Sequence, residues 1–282
     1  SHTTETPAVR IATKQNMDGA KEFVGTQTEA VTIDGVKYFS NKATVKGLKE
    51  NTKYYYQVFQ NGKWQDAETY TTKSFDSFSF LYVGDPQIGA SKNQTSTEQE
   101  KMVSAGNEVS SAAKDNLAAR NDGYNWNNIL NDAVKDHEDV SFIVSAGDQV
   151  NAGKNEREYA AYLGADALAS LPVATTIGNH DSVSNQYTLH FNNPNAFSDK
   201  DANYIQGKTE AGTDYYYRYG NTLFMVLDTN NYNCATHENV MKKAISENKD
   251  AKWRIVVFHQ DIYGSGYDHS DSDGMVLRTQ LT

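Results

Sequence analysis

The chain has one cysteine, Cys234, only four prolines, and far fewer basic than acidic residues. A lone cysteine excludes an intrachain disulfide and any multi-cysteine zinc site. Nothing near Cys234 suggests an activated thiol, and no Gly-x-Ser-x-Gly elbow occurs, so a Ser or Cys hydrolase is set aside. No apolar run approaches the roughly 20 residues needed to cross a bilayer. Lys and Arg number 26 against 36 Asp and Glu, a net charge of −10. That balance argues against a grip on a nucleic-acid backbone or an anionic membrane. Most of the acid reads as a solubility device. At 282 residues the chain suits one large or two ordinary domains, long enough to bury a proper core. It shows no internal repeat.

The chain changes character near residue 75. Residues 7–75 read as short strands, with candidates at 8–12, 30–33 and 38–45. Gly35 and Asn61-Gly62 supply the turns, the second a strong hairpin signal. In 48–58, Tyr54, Tyr56 and Val58 alternate, so one face of that strand is apolar. Leu48, Thr52 and Tyr54 have the spacing of a tyrosine corner, in which the phenol bonds back to the preceding turn. From Phe78 onward strands alternate with helices. Residues 90–123 form a polar stretch, part of which, around 98–119, has weak helical character; it reads as an insertion on the rim of a site. Residues 125–136 predict an amphipathic helix with Trp126, Ile129, Leu130, Ala133 and Val134 on one face. Further helices are expected over 156–169 and 236–247. A hairpin over 215–228 should turn at Gly220-Asn221.

Four apolar runs end in polar residues of ligand type. Phe78–Val83 leads into Gly84-Asp85, and Val140–Ala146 into Gly147-Asp148. Leu171–Ala174 leads into Thr175-Thr176-Ile177 and then Gly178-Asn179-His180-Asp181. Trp253–Phe258 ends in His259. Asp85, Asp148, Asn179 and His259 offer only O and N donors, a mixture that zinc, manganese or iron accepts. A carboxylate has two oxygens, so one Asp can bridge two ions about 3.5–4 Å apart. His180 follows Asn179 directly and can protonate a leaving alkoxide. Asp181 is placed to orient that ring and favour its protonated form. Any one of these fragments is common; the ordered set of four is not.

On these motifs, residues 78–282 resemble the calcineurin-like metallophosphoesterase superfamily. A fibronectin type III-like module preceding such a domain is similar to purple acid phosphatases and their bacterial relatives. The resemblance implies an α+β chain. An N-terminal β-sandwich over 1–75, short for a complete one, precedes a four-layer α/β/β/α domain over 76–282. It also implies a dinuclear site holding two divalent or trivalent transition-metal ions (Fe, Mn or Zn). Carried over by motif, Asp148 bridges, Asp85 binds the first ion, and Asn179 and His259 bind the second. His180 becomes the general acid or phosphate-binding histidine, with Asp181 behind it. Three departures stand out. The usual Asp-x-His is here Asp85-Pro86-Gln87, leaving Gln87 as a weak carbonyl ligand or a donor behind the ligands. Purple acid phosphatases place a Tyr three residues after the bridging Asp; this chain has Asn151, so no purple colour is expected. The family's closing Gly-His-x-His does not occur before Thr282, so the sequence is expected to lack its C-terminal part, with each ion short of one histidine. His269, in Tyr267-Asp268-His269-Ser270, is placed on a rim loop. Asp228 and Thr229 resemble the Leu-Asp-Thr segment common in this family and read as support behind the ligands. His237 and Asp261 lack motif support, and His137 and His190 read as surface or structural residues.

The leading expectation is hydrolysis of a small phosphate mono- or diester. The alternative is a cell-surface binding or adhesion protein whose metal fold has decayed, its N-terminal module docking a cell-wall or surface partner. Ser1-His2 reads as an appended leader, so a natural signal peptide is expected to have been removed. Richness in Tyr, Asn, Asp and Thr fits an extracellular or cell-surface location.

Overall fold

The computed structural model describes residues 1–92, 116–198, 212–231, 234–263 and 272–281. The architecture is mixed α+β, a strand-rich N-terminal region followed by an α/β region. The first contains β1 (Ala8–Ala12), β2 (Lys21–Val24), β3 (Thr26–Ile33), β4 (Val36–Lys42), β5 (Lys53–Gln60), β6 (Lys63–Trp64) and β7 (Glu68–Thr71). One sheet has the order β2-β1-β5-β6 with β7 also on β5, and β3 pairs with β4 in another; every pairing is antiparallel. Asn61 and Gly62 both take positive φ, 54° and 76°, the pattern a two-residue type I′ hairpin needs. The tyrosine corner forms: the buried Tyr54 hydroxyl accepts from the Lys49 amide at 2.8 Å.

The second region adds β8 (Ser79–Val83), β9 (Val140–Ser145), β10 (Val173–Thr175), β11 (Tyr215–Tyr219), β12 (Thr222–Val226) and β13 (Trp253–Val257). Its helices are α1 (Leu117–Asp136), α2 (Glu156–Leu163), α3 (Gln186–His190), α4 (Cys234–Glu247) and α5 (Ser272–Leu281). Strands β10-β9-β8 form a parallel sheet. In the other sheet β11 runs antiparallel to β12, and β13 parallel to it. Every residue of β9 is buried, as expected for a central parallel strand covered on both faces.

Alternation along β9 sends its side chains into two cores. Phe142 and Val144 face the second sheet and pack with Tyr215, Phe224, Val226 and Val257. Phe142 stacks on Phe80 at 5.5 Å between centroids and meets Phe224 edge-on at 5.6 Å. Ile143 faces the helices, in a cluster with Trp126, Leu130, Tyr159 and Tyr162. A further cluster joins Leu223 and Met225 of β12 to Val240 and Ala244 of α4. The layers therefore run helix, sheet, sheet, helix. Each fully buried aliphatic side chain contributes about 1.5–3 kcal/mol.

Two helix expectations are corrected. Ile129 is 61% exposed, whereas Ala119, Trp126, Asn127 and Leu130 are buried. Trp126, Leu130 and Val134 face the core as predicted; Ile129 does not, and the inward face takes in Asn127, whose Oδ1 accepts from the Asp166 amide at 2.8 Å. The helix expected over 156–169 stops at Leu163, where Gly164 caps it, and resumes as a 3-10 turn over Asp166–Ala169. Residues 93–115, most of the polar insertion, and His269 lie outside the described residues. The two regions meet through polar contacts, among them the Tyr56 hydroxyl donating to the Ala169 carbonyl at 2.8 Å and Lys73 Nζ to the Glu138 carbonyl at 2.9 Å.

Candidate metal centre

Because β8, β9 and β10 are parallel, their carboxyl ends share one edge of the sheet, the place where α/β sheets bind ligands. The loops leaving β8 and β9 are joined along the main chain. The Asp85 amide donates to the Gly147 carbonyl at 3.1 Å, and the Gln87 amide to the Asp148 carbonyl at 3.0 Å. Asp85, Gln87 and Asp148 all have left-handed φ, at 53°, 37° and 53°. Aspartate tolerates this region better than most L-residues.

Asp85, Asp148 and His259 each offer a ligand atom, all within 4.8 Å of one another. Asp148 forms the buried floor, and Asp85 and Asn179 the exposed rim. His259 Nδ1 lies 2.9 Å from the Ala146 carbonyl, which fixes it as the donor nitrogen and turns Nε2 inward. That Nε2 lies 2.9 Å from Asn179 Oδ1 and 3.5 Å from Asp148 Oδ2. Nε2 and these oxygens thus converge on one point, where Nε2 can meet them as an N–H donor or share a cation with them. The donor set fits a transition-metal ion.

The electrostatics agree. Burial alone pulls the His259 imidazole down, but Asp148, the Ala146 carbonyl and Asp85 outweigh it and hold its pKa above the usual histidine value. Burial works to raise Asp148. Its bonds from His259, the His180 amide and Gln87, together with the charge of His259, outweigh burial and leave the carboxyl below its ordinary value. Asp85 is raised, chiefly by burial with Asp148 adding to it, against the opposing pull of His259 and His180.

His180 is tied to the floor by its own main chain, its amide donating to Asp148 Oδ1 at 2.9 Å. Its Nδ1 lies 2.6 Å from the Asn151 carbonyl, so Nδ1 carries the hydrogen and Nε2 faces the site, 3.9 Å from Asp148 Oδ2. The orienting partner expected at Asp181 is therefore the peptide of Asn151. His180 has helical backbone angles, φ −68° and ψ −37°, and adjacent residues on such a turn point apart. The fully buried Asp181 carboxylate accepts instead from the amides of Gly178 (2.9 Å), Gln149 (3.3 Å) and Val150 (3.4 Å). It braces the loop after β9 against the loop after β10. Burial pushes its pKa up to about 7, partly offset by those amides. Gln87 donates from Nε2 to Asp148 Oδ2 at 3.0 Å, the donor of its two expected roles.

Asp228 is buried and is not one of the three residues of the Asp85, Asp148 and His259 group. Its Oδ1 accepts from the Asn230 amide at 3.1 Å and from Asn230 Nδ2 at 3.0 Å, and burial raises its pKa. His237, on α4, is buried with Nε2 3.0 Å from the Asp228 carbonyl and 3.7 Å from Asp214 Oδ2. His190 bonds to Glu156 Oε2 at 2.9 Å and packs on the Tyr159 ring. His137 caps the C-terminal end of α1. Sequence reasoning missed Asn230 and Gln260, which stand beside flagged residues, and the carbonyls of Ala146 and Asn151, which no side-chain pattern announces.

Residues 78–278 match the profile of the calcineurin-like phosphoesterases. The chain belongs to that family. Residues 1–72 match the N-terminal domain of purple acid phosphatases. No curated protein matches the sequence. Among solved structures, the purple acid phosphatase PPD1 from seeds of yellow lupin (Lupinus luteus) superposes with a TM-score of 0.53 at 14% identity, over 93% of this chain and 47% of that one. The structure of PhoD gives a TM-score of 0.51 at 11% identity, over 98% of this chain and 61% of that one. At such identities the likeness is one of fold, and this chain spans about half to three-fifths of those proteins. No helix among the described residues is long and apolar enough to cross a membrane.

Proposed function

We propose that this protein is a metal-dependent phosphoesterase that hydrolyses small phosphate mono- or diesters, with His180 as the acid. The observation that carries the reading is the convergence of Asp85, Asp148 and His259 beside a histidine whose Nε2 faces them. Asp85 and Asp148 would hold one ion, and Asp148, Asn179 and His259 a second, with iron, manganese or zinc fitting the donors. Bound there, the ions would supply Lewis acidity toward the phosphoryl oxygens and a water activated for attack.

The chain's own groups do the rest. His180 can hydrogen-bond the phosphoryl group and give a proton from Nε2 to the departing alkoxide, while Nδ1–H stays on the Asn151 carbonyl. Asp181 keeps the His180 backbone in place by gathering three amides of the two loops. Gln87 steadies Asp148 by donating to Oδ2, the oxygen nearer the two histidine rings. Division into an N-terminal module over 1–75 and a catalytic domain over 76–282 belongs to the same reading, as does an extracellular location.

The test is metal analysis of the uninterrupted natural protein, rather than of a 282-residue chain expected to be short of one histidine per ion, together with hydrolysis of p-nitrophenyl phosphate in added Mn²⁺, Zn²⁺ or Fe. Bound metal with turnover is expected. Absence of both would sink the enzyme reading.

A further inference from the structure

Asn230 lies in the loop after β12, outside the ligand set, yet its side chain touches both strand ends that carry the Asn179 and His259 pair. Its Nδ2 lies 3.2 Å from the Gly178 carbonyl, 3.4 Å from the Ile177 carbonyl and 3.0 Å from Asp228 Oδ1. Its Oδ1 accepts from Gln260 Nε2 at 2.7 Å. Gln260 is held in turn by Thr229, whose hydroxyl donates to Gln260 Oε1 and accepts from the Gln260 amide at 3.4 Å. The three groups facing Nδ2 can only accept, so the amide has one sensible orientation: nitrogen toward Gly178, oxygen toward Gln260.

Gly178 is the residue before Asn179, and Gln260 is the residue after His259. The Asn230–Gln260 pair therefore closes a bridge behind two side chains that meet at 2.9 Å in front. Asn179 is exposed and Gln260 buried, so the bridge anchors the rim from its protected side.

We propose that Asn230 is a positioning residue that sets the spacing of Asn179 and His259, and with it the affinity for the ion those two side chains share. This rests on the metal reading given above. Partners standing behind metal ligands typically govern affinity by about 10–100-fold.

The test titrates Co²⁺ into the full chain, followed by its visible ligand-field bands, for the unaltered protein, Asn230→Ala, Gln260→Ala and the double variant. Asn230→Ala is expected to weaken Co²⁺ binding by about 10–100-fold and to change the band shape. The double variant should lose no more than the worse single one, because both break one bridge. Asn230→Asp should also be weakened, since a carboxylate cannot donate to the Gly178 carbonyl. Leu130→Ala serves as the control, a core change that lowers thermal stability and should leave the bands unaltered. Unchanged affinity and bands in Asn230→Ala would overturn the proposal. So would an equal change in Leu130→Ala. Amide hydrogen exchange without metal judges the bridge separately. Faster exchange over both 177–182 and 258–261 in Asn230→Ala is expected, and unchanged exchange there would overturn it. If the unaltered chain binds no Co²⁺, the metal reading fails, and exchange still decides whether Asn230 holds the two loops.

Discussion

Asp85 and Asp148 have the same left-handed φ, 53° in each, and each follows a glycine at the end of a parallel strand. Their loops are laced together by the Asp85 amide on the Gly147 carbonyl and the Gln87 amide on the Asp148 carbonyl. Asparagine accepts left-handed φ as readily as aspartate, so Asp148→Asn isolates charge from conformation. It should still fold, less stable by about 1–3 kcal/mol because one of the donors on its two oxygens loses its acceptor, while losing both metal and turnover. Metal analysis with a thermal melt checks this, and a metal content equal to the parent's would be the contrary result.

His180→Ala should behave differently. The ring is bound to the Asn151 carbonyl and lies 3.9 Å from Asp148, so its removal leaves the ligands in place. Turnover should fall by about 10²–10⁴ with metal content retained. Equal metal loss in His180→Ala and Asp148→Asn would show that His180 is itself a ligand.

Two glycines let the strand ends close on the ligands. A Cβ at Gly147 would stand 2.6 Å from His259 Nδ1, on a backbone at φ 112°. At Gly178 it would stand 2.0 Å from Asp148 Oδ1 and 2.4 Å from the Asp148 main-chain nitrogen, with no unusual φ involved. Gly147→Ala is expected to cost about 1–3 kcal/mol of stability and to dislodge His259. Gly178→Ala should lower stability and metal affinity together, because the main chain of Asp148 has to shift. Urea melts paired with metal titration check both, and a Gly178→Ala protein equal to the parent in both would be the contrary result.

The buried phenols predict alkaline unfolding. Burial raises Tyr159, Tyr162, Tyr187, Tyr215 and Tyr217 well above their ordinary value, and burial with Tyr219 pushes Tyr70 up to about 12. A folded pKa above the unfolded value of about 10 gives stability that is whole below pH ~10. It is lost as pH rises toward the folded pKa. Absorbance at 295 nm should therefore rise in two phases, the second coinciding with loss of circular dichroism. A single reversible phase near pH 10, with the fold intact and all 18 tyrosines titrating, would contradict this packing.

Asp181→Asn sets donor against donor. Its carboxylate takes amide hydrogens from Gly178, Gln149 and Val150, and an Asn amide group can satisfy only part of that set. Leaving buried amides unpaired costs about 1–3 kcal/mol each. A chemical melt should therefore register a loss of that order. No change in midpoint would show the brace to be idle.

The strand ends were legible because an apolar run followed by Gly-Asp or Gly-Asn-His-Asp marks both a buried strand and the turn that halts it. Tyr54 was legible because the corner is a local spacing. Where reading failed, the cause was mostly geometry that adjacency hides. Asp181 sits next to His180 in sequence but points into the protein, as neighbours on a helical turn must. Ile129 fits an apolar stripe by type, yet it lies exposed, and the inward face takes in Asn127, which accepts from the Asp166 amide. Asn230 and Gln260 are unremarkable polar residues until the fold sets them back to back.

The orientation of His180 comes from a peptide carbonyl, that of Asn151. Every amino acid carries that carbonyl, so position 151 can change its side chain freely while the histidine keeps its tautomer. The device is insulated from point substitution: drift at this position can recharge the rim without touching the hydrogen bond that orients the His180 ring. Only a change in the path of the main chain reaches it.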